Sequence, residues 1–303
     1  MEPRSPAEMP KPRIAIIGPG RVGGAIGRLL RQKRYPISGV AAGSPQGLRA
    51  GLEFIGSKKG MRSAAAARTA DVVFLTTPDR LIRPVCEEIA RARGFRRGAV
   101  VFHCCGAHGP ELLAPARQCK AYVGALHPLQ SFAAPEEALR RFKGTYFTFD
   151  GDAEAAPAAK ALVGALGGTL LAARPHDRAL YHAACCVLSN YVASLADLGV
   201  ILLQLSGLPP DQAAKAAQPL LEGTVENIGA LGLPQALTGP IARGDVETVE
   251  RHVRALGALP RDVRRLYSEL GLYTVRVAQR KGTLNPPEAR HLVRILQEAQ
   301  GGR

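Results

Sequence analysis

The sequence predicts an α/β chain: a doubly wound, mostly parallel sheet in the first half, then an all-helical second domain. Three observations predict it. Short apolar runs alternate with helical periods from Arg13 onward, the pattern of a parallel sheet covered by helices. A glycine-rich turn joins the first run to the first helical period. Beyond Arg174 the apolar residues recur only at helical spacing, with no further β-rich run. The expected organisation is a polar, Pro-rich tail over 1–12, a sheet domain over 13–174 and a helical domain over 175–300.

Each element has its own reason. Ile14–Ile17 is wholly apolar and bounded by glycine, as a strand buried on both faces requires. Val22–Gln32 has helical periodicity, and Pro36–Ala42 reads as the second strand. Asp71–Thr76 is a β-rich run followed by a helical period over Leu81–Arg93. Ala99–His103, Tyr122–Leu126, Thr145–Phe149 and Thr169–Ala172 complete the expected strands. Helical spacing then covers Arg178–Leu205, Asp211–Leu221, Asp245–Leu256, Arg261–Arg280 and Pro287–Gln300. Asp245 and Asn285 are placed to cap the helices that follow them. The most apolar stretch, Tyr181 to Leu208, is long enough for a membrane span. It carries His182, Asn190, Asp197 and Gln204, and therefore reads as a buried helix rather than a membrane segment.

Composition narrows the function. A chain of 303 residues that is 46% hydrophobic and 21% charged can bury a sizeable core. Met1–Lys11 has no apolar core, so no export signal is expected and the cytoplasm is the expected compartment. The six cysteines include two vicinal pairs and no C-x-x-C, which points to free thiols and to no metal site. The net charge of +15 is uneven: residues 1–150 hold 24 Lys or Arg against 11 acids, residues 151–303 hold 16 against 14. Basic charge in the first half suits a phosphate-bearing ligand. With aromatics at 5%, no Trp and no recognition motif, nucleic acid is not the expected partner.

The turn after the first strand reads Gly18-Pro19-Gly20-Arg21-Val22-Gly23, a G-x-G-x-x-G opening a helix, which is the context that marks a dinucleotide site. Gly18 permits the tight turn, Gly20 lets the backbone approach a pyrophosphate, and Gly23 allows helix to pack on strand. After the second strand, Val40 to Arg49 contains no carboxylate to bind a ribose 2′-hydroxyl. Ser44, with Arg21 or Arg49, instead suits a 2′-phosphate, so NADP(H) is expected over NAD(H). Thr77, Pro78 and Cys105 follow expected strands and should also face the cofactor. In the helical half, His182, Cys186 and Asn190 fall at i, i+4 and i+8 on one helix face. Polar groups on an apolar helix need partners, and a cleft facing the cofactor would supply them.

The stretches His127-Pro-Leu-Gln-Ser-Phe132, Tyr181-His-Ala-Ala, Ser189-Asn190 and Ala236-Leu-Thr-Gly-Pro-Ile-Ala-Arg-Gly-Asp245, followed by His252, resemble a family that joins a Rossmann-like domain to a DUF2520 domain. The likeness covers about residues 13–295. That architecture is similar to the 6-phosphogluconate dehydrogenase-like reductases, among them ketopantoate reductase, pyrroline-5-carboxylate reductase and prephenate dehydrogenase. The resemblance implies an NADP(H)-dependent reductase of a small 2-oxo acid, ketopantoate first, or an imino acid; the alternative it leaves is an enzyme similar to pyrroline-5-carboxylate reductase or prephenate dehydrogenase. It also implies a homodimer formed through the helical domain. His182 takes the place of the catalytic Lys of ketopantoate reductase, Asn190 that of a substrate-binding Asn, and His127-Pro128 resembles the catalytic His-Pro of prephenate dehydrogenases. His182 or His127 is therefore the expected general acid. Ser189, Asn190, Thr238 and Arg243 are expected to hold a small anionic substrate. Cys105-Gly106 replaces the family's Ser-Gly, and the absence of Lys leaves open a regulatory protein that binds NADP(H) without turnover.

Overall fold

The structure, a computed structural model, describes residues 10–172 and 174–301; most of the expected tail over 1–12 lies outside these. The elements run β1 (Ile14–Ile17), α1 (Arg21–Gln32), β2 (Ile37–Ala41), α2 (Pro45–Ile55), α3 (Ser63–Arg68), β3 (Val72–Leu75) and α4 (Asp79–Arg91). They continue with β4 (Val100–His103), α5 (Ala114–Gln118), β5 (Tyr122–Pro128), α6 (Pro135–Arg141), β6 (Tyr146–Gly151), α7 (Ala156–Ala165) and β7 (Thr169–Leu170). Helices follow: α8 (Arg178–Leu188), α9 (Asn190–Leu205), α10 (Pro210–Leu231), α11 (Val246–Leu256), α12 (Arg261–Lys281) and α13 (Pro286–Gly301). The chain divides into two compact units after Val192. The last strand does end before 174, but α8 packs with the sheet, tied to β5 and β6 through Tyr181.

In the first unit the seven strands lie in the order β2-β1-β3-β4-β5-β6-β7. β1 to β5 are parallel; β6 runs antiparallel to β5, and β7 is parallel to β6. Side chains alternate between two cores, because successive strand residues face opposite sides. Ile14, Ile16, Phe74 and Phe102 pack on one side, Ala15, Ile17, Val73 and Val101 on the other, all at 2% exposure or less. Burial of each large side chain contributes about 1.5–3 kcal/mol. The strand order changes direction at β1, between β2 and β3, and the carboxyl ends there form the crevice where open α/β sheets bind ligands. Phe132 and Phe147 both stack with Phe142, with centroids 4.9 and 5.9 Å away, and so fasten the β5–β6 connection to the sheet.

In the second unit α11, α12 and α13 enclose a core of Val249, Val275, Ala278, Leu292 and Leu296. Asp245 caps α11 by accepting from the Thr248 backbone N–H at 3.1 Å. Asn285 accepts from the Glu288 N–H at 2.9 Å, and Glu288 reaches back to the Asn285 N–H, a capping box ahead of α13. Helix α10 runs ten residues past the expected end at Leu221, through Gly223 and Gly229, to a glycine at 232 whose φ is 69°.

Two expectations about the apolar stretch need correction. It is not one helix: Ser189, at φ −126° and ψ −73°, interrupts it between α8 and α9. Nor is it buried, since no residue of α8 or α9 is. By length and composition Arg178–Leu205 is apolar enough to cross a membrane. A helix that is apolar around its circumference needs cover on all sides, and this chain supplies it on too few. Leu188, Tyr191 and Leu205, for example, are 75%, 59% and 63% exposed.

Candidate active site

The site begins at the turn after β1. Gly18 has φ +95°, a conformation that L side chains rarely adopt, and a Cβ there would sit 2.6 Å from the Thr77 nitrogen. Gly23 lies against the Gly18 carbonyl and the Thr76 hydroxyl, and Thr76 Oγ1 donates to the Gly18 carbonyl at 2.8 Å. Gly20 differs: nothing lies within 4 Å of where its Cβ would be. That open space, over the first turn of α1, is where backbone N–H groups and the helix dipole favour an anion.

A cavity of about 570 Å³ extends from this turn. Pro19, Gly20, Ser44, Arg62, Thr77 and Pro78 are among its walls. Ser44 caps α2, accepting from the Gly47 N–H at 3.1 Å. Thr77 Oγ1 is buried with no hydrogen-bond partner among the described residues, an orphaned polar atom beside the glycine turn. Open space above Gly20, an unpaired hydroxyl at Thr77, and a cationic side chain at Arg62 fit a phosphorylated dinucleotide.

A second cavity, of about 710 Å³, begins at the next residue, with Arg21 and Val22 in its wall. His127, Arg141, His182 and Asn190 line it as well. The two imidazoles meet over Gly106, where an added Cβ would lie 2.8 Å from His127 Nε2 and 3.0 Å from His182 Cδ2. His127 is held from behind by the Tyr181 hydroxyl, 2.7 Å from Nδ1. Burial, then repulsion from His182 and Arg178, pushes His127 down to about 4. His127 is thus a neutral imidazole at pH 7.

The expected site residues distribute as follows. Pro19, Gly20, Ser44, Thr77 and Pro78 line the first cavity, while Val22, His127, His182, Ser189 and Asn190 line the second. Arg21 faces the second cavity rather than Ser44; its guanidinium donates to the Phe132 carbonyl at 3.3 Å. It follows Gly20 at the first position of α1, and the helix turns its side chain toward the β5–β6 connection. Cys105 lines neither of these cavities. Its N–H donates to His103 Nδ1, its thiol is buried beside Asp79, and burial pushes that thiol up to about 11. His103 passes the constraint on, with Nε2 donating to the Gly109 carbonyl at 2.8 Å. Arg49 is exposed and lies outside the wall of the first cavity.

Thr238 and Arg243 belong to the second compact unit. The loop holding Thr238 is anchored by Lys281, whose Nζ donates to the Leu237 carbonyl at 2.7 Å. Arg243 closes a short 3-10 turn, and with Thr248 as the larger cause it holds the Asp245 carboxyl below its ordinary value. Sequence reasoning missed Arg62, Gln130, Ser131, Arg141 and the role of Tyr181. Gln130 and Ser131 stood within the quoted His127–Phe132 motif; Arg62 and Arg141 had no local signal.

Comparison with known proteins agrees with this layout. Residues 1–128 match the family profile described as a Rossmann-like domain, and residues 145–274 match the domain of unknown function DUF2520. No curated protein matches the chain. A Bacteroides fragilis protein provisionally described as an NADP oxidoreductase is similar in fold, with a TM-score of 0.71 at 22% identity, over 89% of this chain and 100% of that one. A Thermotoga maritima protein gives 0.61 at 23% identity, over 95% and 98%. A 1-pyrroline-5-carboxylate reductase from Streptococcus pyogenes gives 0.58 at 14%, over 96% and 99%. At these identities the likeness is one of fold.

Proposed function

For a chain that is a Rossmann-like domain followed by a DUF2520 domain, we propose an NADP(H)-dependent reductase acting on a small carboxylate-bearing carbonyl or imine. The observation that carries this reading is a pair of cavities walled by consecutive residues, Gly20 in one and Arg21 in the other, the first suited to a dinucleotide, the second carrying two imidazoles over Gly106. The nicotinamide, when bound, supplies or accepts the hydride. The chain does the rest. His127 and His182 face the space where an acceptor heteroatom gains negative charge, and donors fixed there lower the barrier. Because His127 is neutral, proton delivery falls to His182. Arg21 gives the substrate cavity positive charge suited to a carboxylate, while Arg141, also in its wall, is already paired with Glu137. Asn190 lies beside them as a second hydrogen-bonding group. A 2-oxo acid such as ketopantoate, or a cyclic imino acid, has this combination of reducible centre and carboxylate.

The test is NADPH oxidation across a panel of 2-oxo and imino acids, with fluorescence titration of NADPH and NADH. The expected result is substrate-dependent oxidation and at least tenfold tighter binding of NADPH than NADH. Arg62→Ala should abolish most of that preference, weakening NADPH about tenfold and leaving NADH nearly unchanged, as loss of one charge-assisted phosphate contact implies. Nucleotide binding without turnover of any acid would favour the regulatory alternative. No nucleotide binding at all would overturn both.

The exposed faces of α9 and α10 are assigned to a second copy of the chain. The uninterrupted α9 has 16 residues, about 24 Å of helix, short of the roughly 30 Å of a bilayer core. Its apolar face continues onto α10 through Leu220, Val225 and Leu231, wider than one membrane-spanning helix presents. Sedimentation at micromolar concentration should give a dimer, and Leu220→Glu a monomer with a lower Tm. A wild-type monomer would overturn the assignment.

A further inference from the structure

The antiparallel pairing of β5 with β6 sets His127 opposite Thr148. Residues directly opposite in such a pair project to the same face of the sheet. Tyr181, from α8, lies over both: its hydroxyl is 2.7 Å from His127 Nδ1 and 3.4 Å from Thr148 Oγ1, and its ring meets the imidazole edge-on at 85°. Nothing in the proposed reaction requires the phenol itself to touch substrate. It stands behind the imidazole.

The direction of the hydrogen bonds follows from the groups available. Burial pushes the Tyr181 phenol up to about 12, so it keeps its proton. Thr148 Oγ1 donates to the phenol oxygen. The one phenolic proton then goes to Nδ1, the strongest acceptor in reach; the neighbouring Cys185 thiol accepts only weakly. An imidazole that accepts at Nδ1 and is neutral carries its proton on Nε2, the atom that faces Gly106. After burial, the groups that weigh most on the charge of His127 come from three elements. His182 on α8, Arg178 at the start of α8 and His103 on β4 disfavour its charging, while Asp79 at the start of α4 favours it. Arg178 is the fixed cation among them. Among the described residues none of its three buried guanidinium nitrogens has a hydrogen-bond partner; an Asp150 carboxylate oxygen is 3.9 Å away, and the group lies over the Tyr181 ring.

We propose that Tyr181 is the positioning residue of this site: by donating to His127 Nδ1 it holds the imidazole in one tautomer and aims a neutral Nε2–H donor into the substrate cavity. The role assigned to that donor rests on the reductase reading, but the tautomer does not. A preoriented neutral donor stabilises developing negative charge on a substrate heteroatom without itself giving up a proton, which divides the work between the two histidines.

The test uses the full-length protein labelled with nitrogen-15, the His127 ring signals being assigned by their loss in His127→Gln. In wild type the ring should remain neutral, with its proton on Nε2, from pH 8 down to pH 5. In Tyr181→Phe a second population protonated on Nδ1 should appear, with NADPH affinity within twofold of wild type. On an active substrate the same variant should lower kcat about tenfold, the worth of one hydrogen bond, with KM within twofold. Thr148→Val should shift both readouts in the same direction by less. A charged His127 at pH 7, an Nδ1–H tautomer in wild type, or an unchanged tautomer in Tyr181→Phe would each overturn the proposal. Since the ring signals need neither cofactor nor substrate, their failure would leave the reductase reading standing. Failure to bind nucleotide would sink that reading while the tautomer result stood.

Discussion

Gly23→Ala is expected to abolish measurable NADPH binding and to lower the Tm by several degrees. A Cβ at residue 23 would collide with the Gly18 carbonyl oxygen and with Thr76 Oγ1. Both are fixed, the first by the turn after β1, the second by its hydrogen bond to that same carbonyl. The methyl group can fit only if α1 lifts from β1 and β3, and overpacking of this kind costs about 1–3 kcal/mol. For a protein of this size each kcal/mol corresponds to roughly 2–4 °C. Gly20→Ala provides the contrast. Nothing lies within 4 Å of its added Cβ and its φ of −77° suits any residue, so the Tm should stay within a degree or so of wild type. Yet that methyl group occupies the space above the helix terminus, and NADPH affinity should fall at least tenfold. Calorimetric melts with a fluorescence titration of both variants would check this. Tight NADPH binding by Gly20→Ala would mean the pyrophosphate does not lie there.

The second large effect is expected at His127. His127→Gln should reduce kcat by about 10²–10³, the range for loss of one preoriented donor, with NADPH affinity unchanged. Gly106→Ala should act in the same direction from the other side, since its Cβ would lie within 3.0 Å of both imidazoles. His127 also predicts a pH dependence of stability. Its value is about 4 in the folded protein against about 6.5 in an unfolded chain, so between these limits the unfolded state binds the extra proton. Stability from this group is complete above about 6.5 and is lost as pH falls toward 4. Melts at pH 7 and pH 5 should show a larger drop for wild type than for His127→Gln. Equal drops would show that His127 titrates alike in both states.

Much of the fold was legible because its determinants are local. Gly18, Gly20 and Gly23 announce a strand–turn–helix through backbone geometry that neighbours in sequence decide. The apolar runs at Ile14–Ile17, Val72–Leu75 and Val100–His103 admit little but buried parallel strands. Helical spacing alone put His182 near Asn190. What escaped depends on distant contacts. Nothing in Thr145–Phe149 signals that the strand runs antiparallel, because direction is settled by which edge remains free. Helix α2 packs Leu48, Leu52 and Ile55 on the core but carries Gly47 and Gly51, which weaken a helical reading, and α7 is built largely of alanines. Ser189 carries no glycine or proline to mark the break before α9. Arg62 reaches the first cavity only through the return of the chain after α2, and Tyr181 meets His127 across 54 residues. The apolar character of α9 was plain; its exposure was not, since an apolar helix reads as a buried one.

The opposition of His127 and Thr148 across β5 and β6 has a consequence for variation in this chain. A side-chain pair set by strand register moves only in steps of one residue, and a single slip of either strand would turn that strand's side chain to the opposite face and part the pair. The ring's placement is thereby quantised: sequence drift in the connecting segment can resize the pocket mouth, but it cannot retune the donor's aim by fractions of an ångström.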